Sequence, residues 1–250
     1  MARLELRNVR KRFGKLLALE DVSLSIAEGE FFVVVGPNGS GKTTLLRVIA
    51  GLVKPDSGEV FIDGVNVNDL LPWQRGVRMV FQGYALFPHM KVYDARRLAN
   101  LNFPLRIRKF LKEDIIRVVS DVTHRVGIEK TLYPRRPGEL SEGQKQKVAV
   151  GRALTIEPKI LLLDEPLSNL DPVSRLRVRD EIRRLHREIR ATTLYVTHNL
   201  PEAMVLADRL AVMNQGAIQQ IGPPGEVYEK PGNEFVYVFM HSSDLPVRPA

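Results

Sequence analysis

The feature that most constrains the fold is an all-apolar run, Phe31–Val35, that leads directly into a glycine-rich segment at residues 36–41. Five consecutive apolar residues of this kind are typical of a central strand in a parallel sheet, which is covered on both faces. Residues 44–50 then have the pattern of a helix, and Gly51 is placed to end it. The order of strand, glycine loop and helix therefore predicts an α/β core with an anion-binding turn after the strand.

The glycine-rich segment matches in full the pattern G-x-x-x-x-G-K-[ST] of a phosphate-binding loop. A triphosphate needs many N–H donors that converge on its oxygens, and glycines let the backbone wrap that closely. We expect Lys42 to reach the β- and γ-phosphates and the Thr43 hydroxyl to ligate Mg²⁺. A purely structural glycine turn is the alternative, and the complete match disfavours it. The residues predicted to bind the nucleotide here are Gly36, Pro37, Asn38, Gly39, Ser40, Gly41, Lys42, Thr43 and Thr44.

Two carboxylates, Asp164 and Glu165, directly follow the apolar strand predicted at residues 160–163. A carboxylate at the C-terminal end of a strand beside a phosphate loop is well placed for a metal, so Asp164 is predicted to hold Mg²⁺ through water. Glu165 is predicted to act as the general base that polarises an attacking water. The alternative is that one of the two carboxylates only caps a helix or lies in a loop.

The rest of the chain alternates predicted strands with predicted helices, which favours a mostly parallel sheet with helices on both faces. Helical periodicity dominates residues 89–151, so we expect a helical lobe inserted into a core formed by residues 1–88 and 152–222. Residues 223–250 contain several prolines and are predicted to form a tail whose end is flexible.

The composition fits one α/β domain with a small lobe. The chain has 250 residues, 44% of them hydrophobic, and no apolar run approaches the roughly 18–20 residues that a membrane helix needs. The first residues lack the apolar stretch of a signal peptide, so a cytosolic chain is expected. The absence of cysteine excludes disulfides, thiolate metal sites and a cysteine nucleophile.

The net charge of +8 is compatible with two interpretations. One is a polyanionic partner, such as nucleic acid or an anionic membrane surface. The other is an ordinary solvated surface together with a phosphate-binding site. The sequence has no block of five or more consecutive basic residues, which favours the second interpretation, and no nucleic-acid partner is expected.

Three further segments accompany the phosphate loop: Leu140–Gln144, the stretch Pro166–Asp171 after the two carboxylates, and the strand end Val196–His198. Their order and spacing resemble the ATP-binding subunit of an ABC transporter over roughly residues 2–240. The resemblance implies a P-loop NTPase fold, with a parallel-sheet core, a small antiparallel β subdomain and an inserted α-helical lobe. It also implies ATP and Mg²⁺ as cofactors.

The resemblance assigns roles to residues that would otherwise carry little signal. It places His198 at the γ-phosphate and Gln82, at the end of the strand predicted at 77–81, at Mg²⁺ or the attacking water. Asp171 belongs to the nucleotide-binding loop that follows the two carboxylates. Phe13 lies where the family has an aromatic that stacks on adenine, and a turn aromatic that packs on the core is the alternative.

The segment Leu140–Gln144 resembles the signature sequence of the family. Without the family, Ser141 and Gln144 have the spacing of a capping box at the start of a helix, and a helix N-terminus is itself an anion site. In the family this turn binds the γ-phosphate held by a second subunit. Ser141, Gly143 and Gln144 are therefore predicted to contact nucleotide in a dimer that sandwiches two ATP molecules.

Glu142 departs from the family pattern, which usually has glycine at this position. An acid in the first turn of a helix favours the helix dipole, but near a triphosphate it adds like-charge repulsion. Lys145 and Lys147 are expected to offset its charge.

Within the family, residues 201–213 and 222–228 are similar to import ATPases for sugars, polyamines, sulfate or ferric iron. The expected partners are transmembrane permease subunits, a second ATPase subunit in a homodimer and, indirectly, a solute-binding protein. The expected location is the cytoplasmic face of the cell membrane, and the C-terminal regulatory domain of many such ATPases is expected to be missing. Residues 95–99 look like a short insertion that would face the permease.

Two alternatives stay open at this point. The first is a soluble ABC ATPase that does not serve transport, although the interval between residues 44 and 140 is too short for the long coiled coil of DNA-repair types. The second is a regulatory nucleotide-binding subunit with a weakened signature, which only Glu142 supports.

Overall fold

The computed structural model describes residues 2–189 and 191–241. The strands, in chain order, are β1 (Leu4–Phe13), β2 (Leu16–Ile26), β3 (Phe31–Val35), β4 (Ser57–Ile62), β5 (Val65–Asn66), β6 (Val77–Val80), β7 (Ile160–Asp164), β8 (Thr192–Thr197), β9 (Arg209–Asn214) and β10 (Ala217–Gly222). The helices are α1 (Lys42–Ile49), α2 (Phe103–Ile107), α3 (Lys112–Arg125), α4 (Glu142–Leu154), α5 (Pro172–Ile189), α6 (Leu200–Leu206), α7 (Pro224–Glu229) and α8 (Glu234–His241).

The chain divides into two compact units. The described residues of Met1–Val77, Lys159–Glu165 and Arg190–Ala250 form the first unit, and Arg78–Pro158 with Pro166–Ile189 form the second. Nine of the ten described strands lie in the first unit, and the second unit is built mainly from helices. The domain boundaries predicted from the sequence remain a prediction.

A mostly parallel sheet forms the centre of the first unit, with the strand order β10-β9-β3-β8-β7, in which β10 is antiparallel to β9. Strand β3 pairs in parallel with β8 on one side and β9 on the other, and β7 pairs in parallel with β8. All residues of β3, β7 and β8 are buried, as the apolar runs in the sequence predict. Because these strands run in the same direction, the residues that follow β3, β7 and β8 come together at one edge of the sheet.

The smaller sheet of the first unit is antiparallel, with the order β2-β1-β4-β5. Leu4 in β1 lies opposite Ile26 in β2 and Ile62 in β4, and all three side chains are buried. This sheet and the parallel core confirm the predicted P-loop fold class.

In the second unit, the helices pack through apolar faces. Ile115, Val119 and Val122 of α3 are buried, whereas Val118 is partly exposed. Helix α5 buries a second face, formed by Val178, Ile182 and Leu185. The helical lobe predicted from the sequence is therefore present as packed helices.

The chain after Gly222 continues in the first unit as α7 and α8, in which Val227 and Val236 are fully buried. The flexible end predicted from the sequence falls on residues 242–250, which lie outside the described residues. In the part of the chain that the structure describes, no helix is both long enough and apolar enough to cross a membrane.

Candidate nucleotide site

The phosphate loop between β3 and α1 requires glycine at two positions for steric reasons. A Cβ on Gly36 would lie 2.1 Å from the carbonyl oxygen of Met213, and one on Gly41 would lie 2.5 Å from that of Ala18. Gly41 also has a φ of +106°, a left-handed conformation that favours glycine. Gly39 has a φ of +80°, but open space surrounds it. The backbone therefore packs closely at both ends of the loop.

Lys42 begins α1, and its side chain folds back over the loop. Its Nζ donates hydrogen bonds of 2.9 Å to the carbonyl oxygens of Gly36 and Pro37. The side chain is only 5% exposed, and burial lowers the pKa of its ammonium group. These two carbonyl oxygens hold the ammonium group at the loop. A phosphate oxygen can replace them as the acceptor of its hydrogen bonds.

Thr43 and Asp164 bring two oxygen donors together beside the loop. The Thr43 hydroxyl donates a 3.0 Å hydrogen bond to Oδ1 of Asp164, the last residue of β7. Burial raises the pKa of the Asp164 carboxyl, and the Thr43 hydroxyl acts in the opposite direction. A hydroxyl and one carboxylate fit Mg²⁺, which takes few protein ligands and completes its shell with phosphate oxygens and water. Among the described residues, no group of three or more His, Cys, Asp or Glu side chains forms a self-sufficient metal site.

Glu165 lies between a histidine and the loop lysine. Its Oε2 is 3.0 Å from Nδ1 of His198, which follows β8, and its Oε1 is 3.9 Å from Nζ of Lys42. Glu165 has a φ of +44°, a strained conformation for a residue with a side chain, and its N–H donates to the carbonyl oxygen of Val196. Strain of this kind is concentrated at functional sites. The carboxylate is therefore oriented by charged and hydrogen-bonding neighbours, as a general base requires.

Two residues that hydrogen-bond to the elements carrying site residues, β8 and α1, were not predicted from the sequence. Buried Glu202 accepts hydrogen bonds from the hydroxyls of Tyr195 and Thr197 on β8, immediately before His198. Asn199 and Glu202 have the spacing of a helix-capping pattern, and this pattern is the weak sequence signal that could have identified Glu202.

Arg75 is the second of these residues. Its guanidinium donates to the carbonyl oxygens of Val48 and Ile49 at the end of α1. Gly51 makes room for it, because a Cβ there would lie 2.5 Å from Nε of Arg75. A positive group at a helix C-terminus complements the helix dipole, and no pattern in the sequence marks this arginine for the task.

The remaining predicted aromatic and glutamine residues are both exposed. Phe13 ends β1 with 48% of its surface exposed, and Nζ of Lys11 lies 5.4 Å from its ring centroid. Gln82 lies in the second unit, two residues after β6, where its Nε2 is 3.4 Å from the hydroxyl of Ser168. The roles of both residues in nucleotide binding stay predictions.

The signature turn lies in the second unit and has the predicted capping box. The Ser141 hydroxyl accepts from the N–H of Gln144 at 3.3 Å, and Oε1 of Gln144 accepts from the N–H of Ser141 at 3.0 Å. Asp171 caps α5 by accepting from the N–H groups of Val173 and Ser174. Residues Ser141, Gly143, Gln144 and Asp171 line one open cavity of about 620 Å³.

The charge of Glu142 is offset by one of the two expected lysines. Nζ of Lys145 donates to Oε1 of Glu142 at 2.6 Å. The expectation for Lys147 is wrong, because its ammonium group pairs with Glu181 on α5 at 2.9 Å. Burial, together with the charge of Glu142, raises the pKa of Tyr84 to about 12.

Residues 19–168 match the ABC transporter family. This chain belongs to that family. It is 47% identical over 251 residues to the trehalose/maltose import ATP-binding protein MalK of Thermococcus litoralis, a match that covers 98% of this chain and 66% of the relative. It is also 47% identical over 243 residues to the sn-glycerol-3-phosphate import ATP-binding protein UgpC of Yersinia enterocolitica, covering 97% and 66%. This ABC protein therefore spans about two thirds of the length of these relatives.

A solved structure gives the same fold. The dimeric, post-hydrolysis ATP-binding cassette MJ0796 bound to ADP and Pi matches with a TM-score of 0.74 and 30% identity, covering 88% of this chain and 98% of the cassette. The predicted family and fold are confirmed.

Proposed function

We propose that this ABC protein binds and hydrolyses ATP as the energy-supplying subunit of a solute importer, at the cytoplasmic face of the membrane. The observation that carries the proposal is the cluster of Lys42, Glu165 and His198 beside a complete phosphate loop. In this arrangement Glu165 takes a proton from water while His198 orients the carboxylate. The names of the relatives, which are import ATP-binding proteins, support the import direction.

The nucleotide would be held as Mg-ATP. Lys42 and the loop amides bind the phosphates, and Thr43 with Asp164 supplies the protein oxygens that suit Mg²⁺. The metal supplies charge neutralisation on the phosphates when bound. Phe13 stacks on the adenine, and Gln82 contributes to the metal or the water.

The functional unit would be a head-to-tail dimer. Lys42 of one chain and Ser141 of the other hold each ATP, so that neither chain completes a site alone. The exposed capping box at Ser141 supports this, since its N-terminal amides and hydroxyl face an open cavity of about 620 Å³. Dimer closure would drive the permease subunits, and a solute-binding protein would deliver the substrate to them.

The first experiment measures Mg-ATP turnover of the purified chain together with ATP-dependent dimerisation of Glu165→Gln by sedimentation. Loss of the base should lower turnover by about 10² to 10⁴-fold while ATP still binds, so the variant should accumulate as a dimer. The matched control is Glu157→Gln, which makes the same change at an exposed carboxylate and should behave like wild type. Unchanged turnover in Glu165→Gln would refute the proposed mechanism.

The competing proposal is a regulatory subunit with a weakened signature, which Glu142 alone favours. The ion pair between Glu142 and Lys145 reduces the repulsion between Glu142 and a bound triphosphate, and the regulatory proposal depends on that repulsion. ATP turnover at both sites of a purified homodimer would exclude the regulatory-subunit proposal. Turnover only after addition of a different ATPase chain would support it.

A further inference from the structure

The segment Gln82–Phe87, named here the glutamine loop, contains two neighbouring residues in a strained backbone conformation. Tyr84 has a φ of +59° and Ala85 a φ of +48°, both in the left-handed region that residues with a side chain rarely adopt. Two such residues in succession do not persist unless surrounding contacts hold them.

Arg152, on the last turns of α4, supplies that contact. Its Nη1 donates to the carbonyl oxygen of Ala85 at 2.7 Å, and its Nη2 donates to that of Tyr84 at 3.0 Å. The guanidinium carbon lies 5.5 Å from the ring centroid of Phe87. A planar fork that binds two successive carbonyls fixes both distance and direction, which a lysine does not do. Burial lowers the pKa of Arg152, which reflects how far this charged group is withdrawn from water.

Apart from the buried side chain of Tyr84, the other anchors of the loop lie at its ends. Nδ2 of Asn169 reaches the carbonyl oxygen of Gln82 only at 3.4 Å, a long hydrogen bond. Fully buried Asn100 accepts from the N–H of Phe87 at 2.8 Å and donates to its carbonyl oxygen at 3.2 Å. Arg152 is thus the charged anchor at the strained middle of the loop.

Helix α4 carries both Arg152 and the signature turn. Ser141 caps its first residue, and Arg152 lies ten positions along the same helix, a rigid distance of about 15 Å. We propose that Arg152 is a positioning residue that ties the glutamine loop to the signature helix, so that a displacement of the helix displaces Gln82. The role of Gln82 in catalysis rests on the proposed function, whereas the mechanical link does not.

Hydrogen–deuterium exchange of the 250-residue chain without nucleotide tests the link directly. The probes are the amides of Tyr84, Ala85 and Phe87, which are all hydrogen-bonded in the loop. Arg152→Gln should increase their exchange rates about tenfold, and Arg152→Lys, which keeps the charge but loses the fork, about threefold. The matched control is Arg184→Gln, which removes a guanidinium bond to the carbonyl oxygen of Arg125 and should leave these probes unchanged.

Two results would overturn the proposal. One is unchanged loop exchange in both Arg152 variants. The other is an equal increase in the exchange rates of α3 and of the loop in Arg152→Lys. That pattern indicates general destabilisation of the fold, not a local link.

Ala85→Gly provides a rescue that a merely structural arginine would not show. Glycine adopts a φ of +48° without strain, so this change in the Arg152→Gln background should slow loop exchange about threefold. Failure of the rescue contradicts the idea that Arg152 holds a strained loop.

Steady-state turnover then connects the link to the proposed function. Arg152→Lys should lower kcat about tenfold with KM for Mg-ATP within twofold, because the phosphate loop is intact. If Glu165→Gln shows that the proposed mechanism is wrong, the exchange results still decide the link. If exchange changes in the loop while kcat is unchanged, the link stands and the catalytic role proposed for Gln82 is refuted.

Discussion

The phosphate loop before α1 and the signature turn before α4 are both helix N-termini, but they are built in different ways. The first is made from backbone: Gly36 and Gly41 lie so close to neighbouring carbonyls that no side chain fits. The second is made from side chains: Ser141 and Gln144 close a capping box, and a Cβ on Gly143 would meet no atom within 4 Å. An anion site made from backbone restricts the residue type where the backbone approaches its neighbours closely, as at Gly36 and Gly41, whereas one made from a cap leaves positions such as Glu142 free to vary.

The largest effect is expected for Gly36→Ala. The new Cβ would overlap the Met213 carbonyl, which is backbone and cannot rotate away, so the free energy of unfolding should fall by more than about 3 kcal/mol. Nucleotide binding should be lost as well. Urea unfolding and binding of a fluorescent ATP analogue measure the two effects.

Gly39→Ala is the matched control in the same loop, since it meets open space and adds only the left-handed strain of about 1 kcal/mol. Equal losses for the two variants would contradict the steric account of the loop.

Asp164→Asn should stabilise the nucleotide-free protein while it abolishes turnover. Burial raises the pKa of Asp164, so the fold disfavours its charged form, and the amide should increase the free energy of unfolding by about 1 kcal/mol at pH 7. Because the pKa of Asp164 is raised in the folded state, its protonated carboxyl stabilises the fold. This contribution to stability is fully present below the unfolded pKa of 3.8 and is lost as pH rises through the folded-state pKa.

The gain of the Asn variant should therefore shrink as pH falls towards 3.8. Thermal unfolding in EDTA over a pH series measures this, and a gain that grows on acidification would contradict the prediction.

In the signature turn, Gly143→Ala should be tolerated by the fold. Gly143 has open space around it and lies in a helix, where alanine is favoured over glycine, so stability should rise by about 0.5 kcal/mol. Gly151→Ala, in the same helix, brings a Cβ within 3.2 Å of Leu101 and should give no such gain. Chemical denaturation of both variants decides whether the turn is as permissive as its geometry indicates.

The smallest effect is expected for Glu142→Gln. Its pair with Lys145 is partly exposed, so removing the charge should lower stability by about 0.3 kcal/mol, and the loss should fade at high salt. Denaturation at two NaCl concentrations measures this. A loss above about 2 kcal/mol would show that the signature turn is as constrained as the phosphate loop.

The sequence predicts the parts of the site that depend on local order along the chain. Strand β3 has the bounds predicted for it, Phe31–Val35. Asp164 ends β7, Glu165 directly follows it, and His198 follows β8, so these side chains lie at strand ends as their spacing indicates. The features that the sequence does not predict depend on contacts between residues that are far apart along the chain. The left-handed conformation of Glu165, the partner of Lys147 and the bonds of Arg75 are set by tertiary packing, which periodicity does not encode.

The close approach of Met213 to Gly36 has a consequence for synthesis of the chain. The carbonyl oxygen of Met213 bounds the phosphate loop, and the N–H of Gly216 donates to the carbonyl oxygen of Ser40 at 2.9 Å. A ribosome produces the loop long before it produces β9 and β10, so the nascent chain lacks the residues that shape the loop. High affinity for ATP should thus appear only after β9 and β10 have been synthesised, so that nucleotide binding reports the assembly of the first unit.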